Sequence, residues 1–74
     1  MSTGGEWVMW EAKAASGQTE ALVEWLLERC PEGAHVYRSA DRVVLIAEAP
    51  AHLDEPPAAL VARPPHSWEF DRLR

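Results

Sequence analysis

The chain of 74 residues is 47% hydrophobic and 26% charged, a globular balance that argues against intrinsic disorder and leaves room for one small domain but not two. Its net charge of -5 argues against a nucleic-acid backbone or an anionic membrane surface as partner. With Cys30 as the single cysteine and three scattered histidines, neither an internal disulfide nor a structural zinc is expected, so a core this small is expected to lean on a second subunit.

Residues 1–5 read as a flexible tail ahead of a single domain over 6–74. Glu6 to Ala14 is a strand, rich in Trp and Val, whose two faces are Trp7/Met9/Glu11/Lys13 and Val8/Trp10/Ala12/Ala14. Both faces begin apolar. Ser16-Gly17 is a turn, and a helix follows with Thr19 or Ser16 as its cap and ALVEWLLERC as its interior. At about 100° per residue, Leu22, Val23, Leu26, Leu27 and Cys30 form one stripe, with Trp25 outside it. Pro31 and Gly33 end the helix.

Ala34 to Ser39 alternates as a second strand, Ala40-Asp41 turns the chain, and Arg42 to Ala49 is a third strand of β-branched and apolar residues. Asp54 then caps a short second helix opened by Pro56-Pro57, continued as AALVAR and stopped by Pro64-Pro65. His66 to Leu73 is the last strand, with His66, Trp68, Phe70 and Arg72 on one face.

The order β-α-β-β-α-β implies an α+β fold: a ferredoxin-like, four-stranded antiparallel sheet with its helices on one face. The first and third strands are central in that topology, and both are apolar on both faces. Two short helices cover one face only, whereas the free face of an antiparallel sheet is ordinarily polar. That face is therefore expected to pack against the sheet of an identical chain. An RNA-recognition domain shares the topology but needs aromatic residues on the third strand and a basic sheet face, and RVVLIAEA has neither. The opening residues contain no basic segment followed by an apolar run, and no apolar stretch approaches a membrane span, so the cytoplasm is the expected compartment. The absence of Asn, with a single Lys and many Ala, points to a high-GC bacterial genome.

The opening WVMWEAKAASGQTEALVEWLLERC, the hairpin VYRSADRVVLIAEAP and the last segment HSWEFDRL together resemble the dimeric α/β-barrel superfamily, specifically its small antibiotic-biosynthesis-monooxygenase-like proteins. The resemblance implies a homodimer whose two sheets close into a barrel, with a pocket in each subunit between sheet and helices. Members of that family oxidise aromatic polyketides or quinols without a cofactor, degrade haem, cyclise polyketides, or have no known catalysis. Its monooxygenases use an Asn and a Trp, and its haem-degrading members an Asn-Trp-His set. The present chain contains no Asn, and its segment between third and fourth strands is short. These departures favour a small ligand-binding or accessory dimer, linked to secondary metabolism, over the alternative of a cofactor-independent monooxygenase or cyclase acting on an aromatic or quinol substrate.

Four tryptophans in so short a chain serve either burial or recognition. Burial in the core or an interface is the simpler account of Trp7, Trp10 and Trp68. The functional account makes Trp25, Trp10 and Trp68 the walls of a pocket for a small aromatic ligand. Trp25, displaced from the helix stripe, is expected at a surface, an interface or a pocket lip. His35 and Tyr37 share a face of the second strand and are candidates for proton transfer, as is His66, which approaches Glu11 if the first and last strands are neighbours. Solvation or cross-strand pairing is the plainer role for His35 and Tyr37, and a structural hydrogen bond to Glu11 the plainer role for His66. Cys30 reads as a small apolar helix residue. His52, Asp54 and Glu55 match no metal-binding spacing, so neither a metal nor a cofactor is expected.

Overall fold

A computed structural model describes residues 6–73; the expected tail over 1–5 lies outside them. Strand β1 runs Trp7–Lys13, helix α1 Thr19–Arg29, β2 His35–Arg38, β3 Arg42–Glu48 and β4 His66–Phe70. The strands form one antiparallel sheet in the order β2-β3-β1-β4. This small α+β architecture is compatible with the expected ferredoxin-like arrangement, with the two strands that are apolar on both faces at its centre. The pairing β1 to β3 spans all seven residues of each strand, from Trp7 opposite Glu48 to Lys13 opposite Arg42.

The helix covers the face that carries Val8, Trp10, Ala12 and Ala14 from β1 and its end, and Val43, Leu45 and Ala47 from β3. Leu22 and Leu26 fill the space between helix and sheet, both fully buried. Small side chains at Ala12, Ala14 and Ala47 bring the helix close to the strands, while Trp10 supplies the bulk beside them. Val23, Trp25 and Cys30 flank that centre, partly buried against it.

Two details of the helix differ from expectation. Leu27, placed in the apolar stripe, is 56% exposed, and Trp25, placed outside it, packs on the core. The buried sector centres on Leu22 and Leu26, and at about 100° per residue Leu27 falls roughly 120° from that centre while Trp25 falls only about 80° away. Neither Ser16 nor Thr19 caps the first turn. Gln18 occupies the cap position without a side-chain hydrogen bond, and the Thr19 hydroxyl donates instead to the Ala40 carbonyl at 3.3 Å. Gly17, with φ +75°, turns the chain into the helix, and Gly33, with φ +84°, turns it out.

The second helix is the larger correction. Residues 51–57 are irregular, Asp54 caps nothing, and only a single 3₁₀ turn forms at Ala58–Leu60. The sheet competes for this backbone. Ala15 donates to the Leu60 carbonyl at 2.9 Å, Ala62 donates to the Lys13 carbonyl at 2.8 Å, and Ala14 and Val61 form an antiparallel bridge. With prolines on both sides of so short a segment, an α-helix has too few free N–H donors to propagate, and pairing with the end of β1 satisfies more backbone groups. The last strand also ends early, at Phe70 rather than Leu73.

Candidate functional site

Because α1 and the 50–65 segment lie on one side, the opposite face of the sheet is uncovered among the described residues. Strand alternation sends Trp7, Met9, Glu11 and Lys13 of β1 to this side, and the register lines their neighbours up in rows. Trp7 has Glu48 and Phe70 beside it, Met9 has Ile46 and Trp68, and Glu11 has Val44 and His66. On the outer side of β3, His35 continues the Met9 row and Tyr37 the Glu11 row. The outcome is an apolar surface on the side where a monomeric antiparallel sheet is normally polar. Trp68 and Phe70 are each 45% exposed and Tyr37 53%.

Aromatic contacts order the surface. The His66 ring stacks on Trp68 with centroids 5.8 Å apart and planes at 17°, and Trp68 leans on Phe70 at 6.5 Å. The Arg72 guanidinium lies over the Trp7 ring, 5.9 Å from its centroid. At the Trp7 end the face sinks into a hollow of about 420 Å³ walled by Trp7, Met9, Ile46 and Phe70, with His35 and Arg72 also lining it. At the other end charges pair within the chain: Arg42 donates to the Glu11 carboxylate at 2.9 Å, and Lys13 is 3.9 Å from Asp41.

The residues singled out from sequence distribute over both sides of the sheet. His35, Tyr37, His66 and Trp68 share the open face. His35 and Tyr37 are in contact, Nδ1 to hydroxyl 3.3 Å, so the imidazole and phenol share one hydrogen bond, its donor set by the imidazole tautomer. His66 lies opposite Glu11, as neighbouring strands require, but the Glu11 carboxylate takes its hydrogen bond from Arg42 and His66 turns its ring onto Trp68. Trp10 is 5% exposed in the core on the helix side, and Trp25 packs there too, its ring under the Arg29 guanidinium at 4.9 Å. Trp10, Trp25 and Trp68 therefore do not converge on one pocket. Trp10 does line a second hollow of about 310 Å³ on the helix side, with His52, Asp54, Glu55, Pro65 and Ser67.

Trp7, Met9, Ile46 and Phe70 belong to the open face although they were not singled out as ligand contacts. Their signal was the alternation itself, which placed Trp7 with Met9 and Trp68 with Phe70. Among the described residues no three His, Cys, Asp or Glu side chains gather as a metal site, and no helix is long and apolar enough to cross a membrane. No family model matches the chain, and neither a curated protein nor a solved structure matches it.

Proposed function

We propose that this chain is a small homodimeric ligand-binding or accessory protein of the dimeric α/β-barrel kind, acting in the cytoplasm without chemistry of its own, and that a second copy covers the open sheet face. The observation that carries the reading is the apolar open face itself, with Trp7, Met9, Val44, Ile46, Trp68 and Phe70 on one side of a sheet over which the described residues lay no second layer. β1 and β3 contribute seven residues each, β4 five and β2 four. At ~4.8 Å spacing and ~3.3 Å rise the face is therefore roughly 350 Å² in projection, its charged positions included, and its apolar centre is a contiguous exposed patch of the kind that marks interaction sites. At one end of the face Lys13 and Arg42 are balanced by Asp41 and Glu11 of the same chain, so an identical copy laid on the face meets no large like-charged patch there, and a two-fold axis repeats each contact. The hollow beside Trp10 on the helix side is the corresponding place for a small aromatic ligand.

Light scattering on the purified chain at micromolar concentration tests the dimer directly. Twice the 8.3 kDa chain mass is expected, and a well-folded monomer overturns the reading.

One observation favours an enzyme instead. The His35 to Tyr37 contact, at the rim of the apolar hollow, has the chemistry of a proton relay. As a cofactor-independent monooxygenase or cyclase, the protein would lose about 10²–10⁴-fold in turnover of a quinol or polycyclic phenol when His35 and His66 are both changed to Gln. As a binding protein it keeps its ligand affinity within about tenfold, because each neutral hydrogen bond contributes roughly 0.5–1.5 kcal/mol.

A further inference from the structure

We propose that the hollow beside Trp10 takes a small aromatic amine in its cationic form, one that also carries a hydrogen-bond acceptor at the end away from the charge. The inference rests on the ligand-binding reading above and names the chemistry of the ligand; it is independent of the pairing of two copies. The hollow forms where β1 and β4 meet the loop over 51–55 and the proline pair ahead of β4. Trp10 and Ser67 are cross-strand partners on the helix side, Leu53 and Pro65 flank them half-buried, and Asp54 and Glu55 are exposed at the lip. A volume of about 310 Å³ is at the small end for ligand pockets and suits one ring with short substituents.

Trp10 asks for an acceptor. Its side chain is 5% exposed, yet among the described residues its indole N–H donates to no protein group. An indole so nearly buried ordinarily has a partner, because an unmatched donor out of water is costly. Nor is this N–H sealed in: among the described residues no occluded side-chain nitrogen or oxygen lacks a partner, so the donor keeps a patch of accessible surface. The hollow that Trp10 borders is where that surface opens. The lip asks for the opposite charge. Among the described residues neither Asp54 nor Glu55 enters an ion pair or a hydrogen bond, and Arg63, beyond Pro64, borders a neighbouring hollow with Glu55 without pairing to it. An aromatic carboxylate or phosphate would meet two like charges there, whereas an ammonium group is attracted by both. His52, Asp54 and Glu55 line the hollow without gathering as a metal site, so the fitting cation is an organic one whose ring lies between Leu53, Pro65 and Trp10.

Titrating the nitrogen-labelled full chain and following its amide and indole N–H resonances by NMR tests this with three probes of similar shape. They are para-methoxyphenethylamine, its para-ethyl analogue, which keeps the charge and lacks the acceptor, and para-methoxyphenylpropionate, which reverses the charge. The methoxy amine should move the Trp10 indole resonance and bind about tenfold more tightly than the propionate. Losing the acceptor should weaken binding about two- to tenfold and shrink the shift at the Trp10 indole. Asp54→Asn and Glu55→Gln in one chain should weaken the amine about three- to tenfold and leave the propionate no weaker, with the dispersion of the spectrum verifying the fold. A propionate that binds at Trp10 as tightly as the amine, or an amine that loses nothing in the double variant, overturns the cationic ligand and leaves the ligand-binding reading standing. Shifts confined to Trp7, Met9 and Phe70 overturn this site in favour of the hollow on the open face. No shift with any of the three probes overturns the site and the aromatic-ligand reading together.

Discussion

Leu45 and Ile46 are adjacent on β3 and face opposite layers, so one substitution has two different consequences there. Leu45 is fully buried under α1, and Leu45→Asp places an unpaired carboxylate in the core. A cost above about 3 kcal/mol is expected, enough to unfold so small a domain, and chemical denaturation followed by circular dichroism measures it. Ile46 is half-buried on the open face. Ile46→Asp should leave the far-ultraviolet spectrum of a folded chain and abolish pairing in light scattering; a variant that remains dimeric shows that this face is not the interface. The sequence placed Ile46 opposite Leu45 by alternation alone, but it did not say which of the two layers α1 would cover. His66 and Glu11 show the same boundary. Their adjacency follows from strand order, yet the register of β3 brings Arg42 to the carboxylate first.

Helix α1 is the element whose packing carries the domain, and its two leucine neighbours separate burial from mere hydrophobicity. Leu26→Ala should cost about 2–5 kcal/mol by opening a cavity against β3, while Leu27→Glu, on a residue 56% exposed, should change stability by less than about 0.5 kcal/mol. Matched urea titrations compare them, and equal costs would mean the helix is rotated from the position described. The exit turn is equally specific. Gly33 holds φ +84° with open space around it, so Gly33→Ala meets no neighbour and is opposed by backbone strain alone, about 1–2 kcal/mol. The helix was legible because its pattern of apolar residues is long and its ends are marked by Gly17, Pro31 and Gly33. The second helix was misread because local signals for it, Asp54 and the proline pair, are outweighed by hydrogen bonds to the end of β1 that no local signal reports.

For the molecule as a whole, one layer of helix on a four-stranded sheet leaves the second sheet face uncovered among the described residues. If two copies pair through it, thermal stability depends on concentration, because mass action favours the associated, folded state. A tenfold rise in protein concentration should raise the melting temperature by about 3–5 °C. A midpoint independent of concentration, with a monomer mass, would indicate that 74 residues hold this fold alone with its aromatic face in water.

Alternation, helical periodicity and turn residues are properties of near neighbours along the chain, and they determined the four strands, the main helix, the central place of β1 and β3, and the division of each strand into two faces. What only the tertiary structure decided are relations between distant segments. It put Trp10 and Trp25 on the helix side and Trp68 on the other, gave the 58–62 backbone to the end of β1 instead of a helix, and brought His35 to the edge of a hollow walled by Trp7 and Phe70. The reason is physical: a residue's own pattern says which neighbours share its face, while the layer that covers that face is chosen by where a helix of limited length can lie and which backbone groups it leaves unpaired.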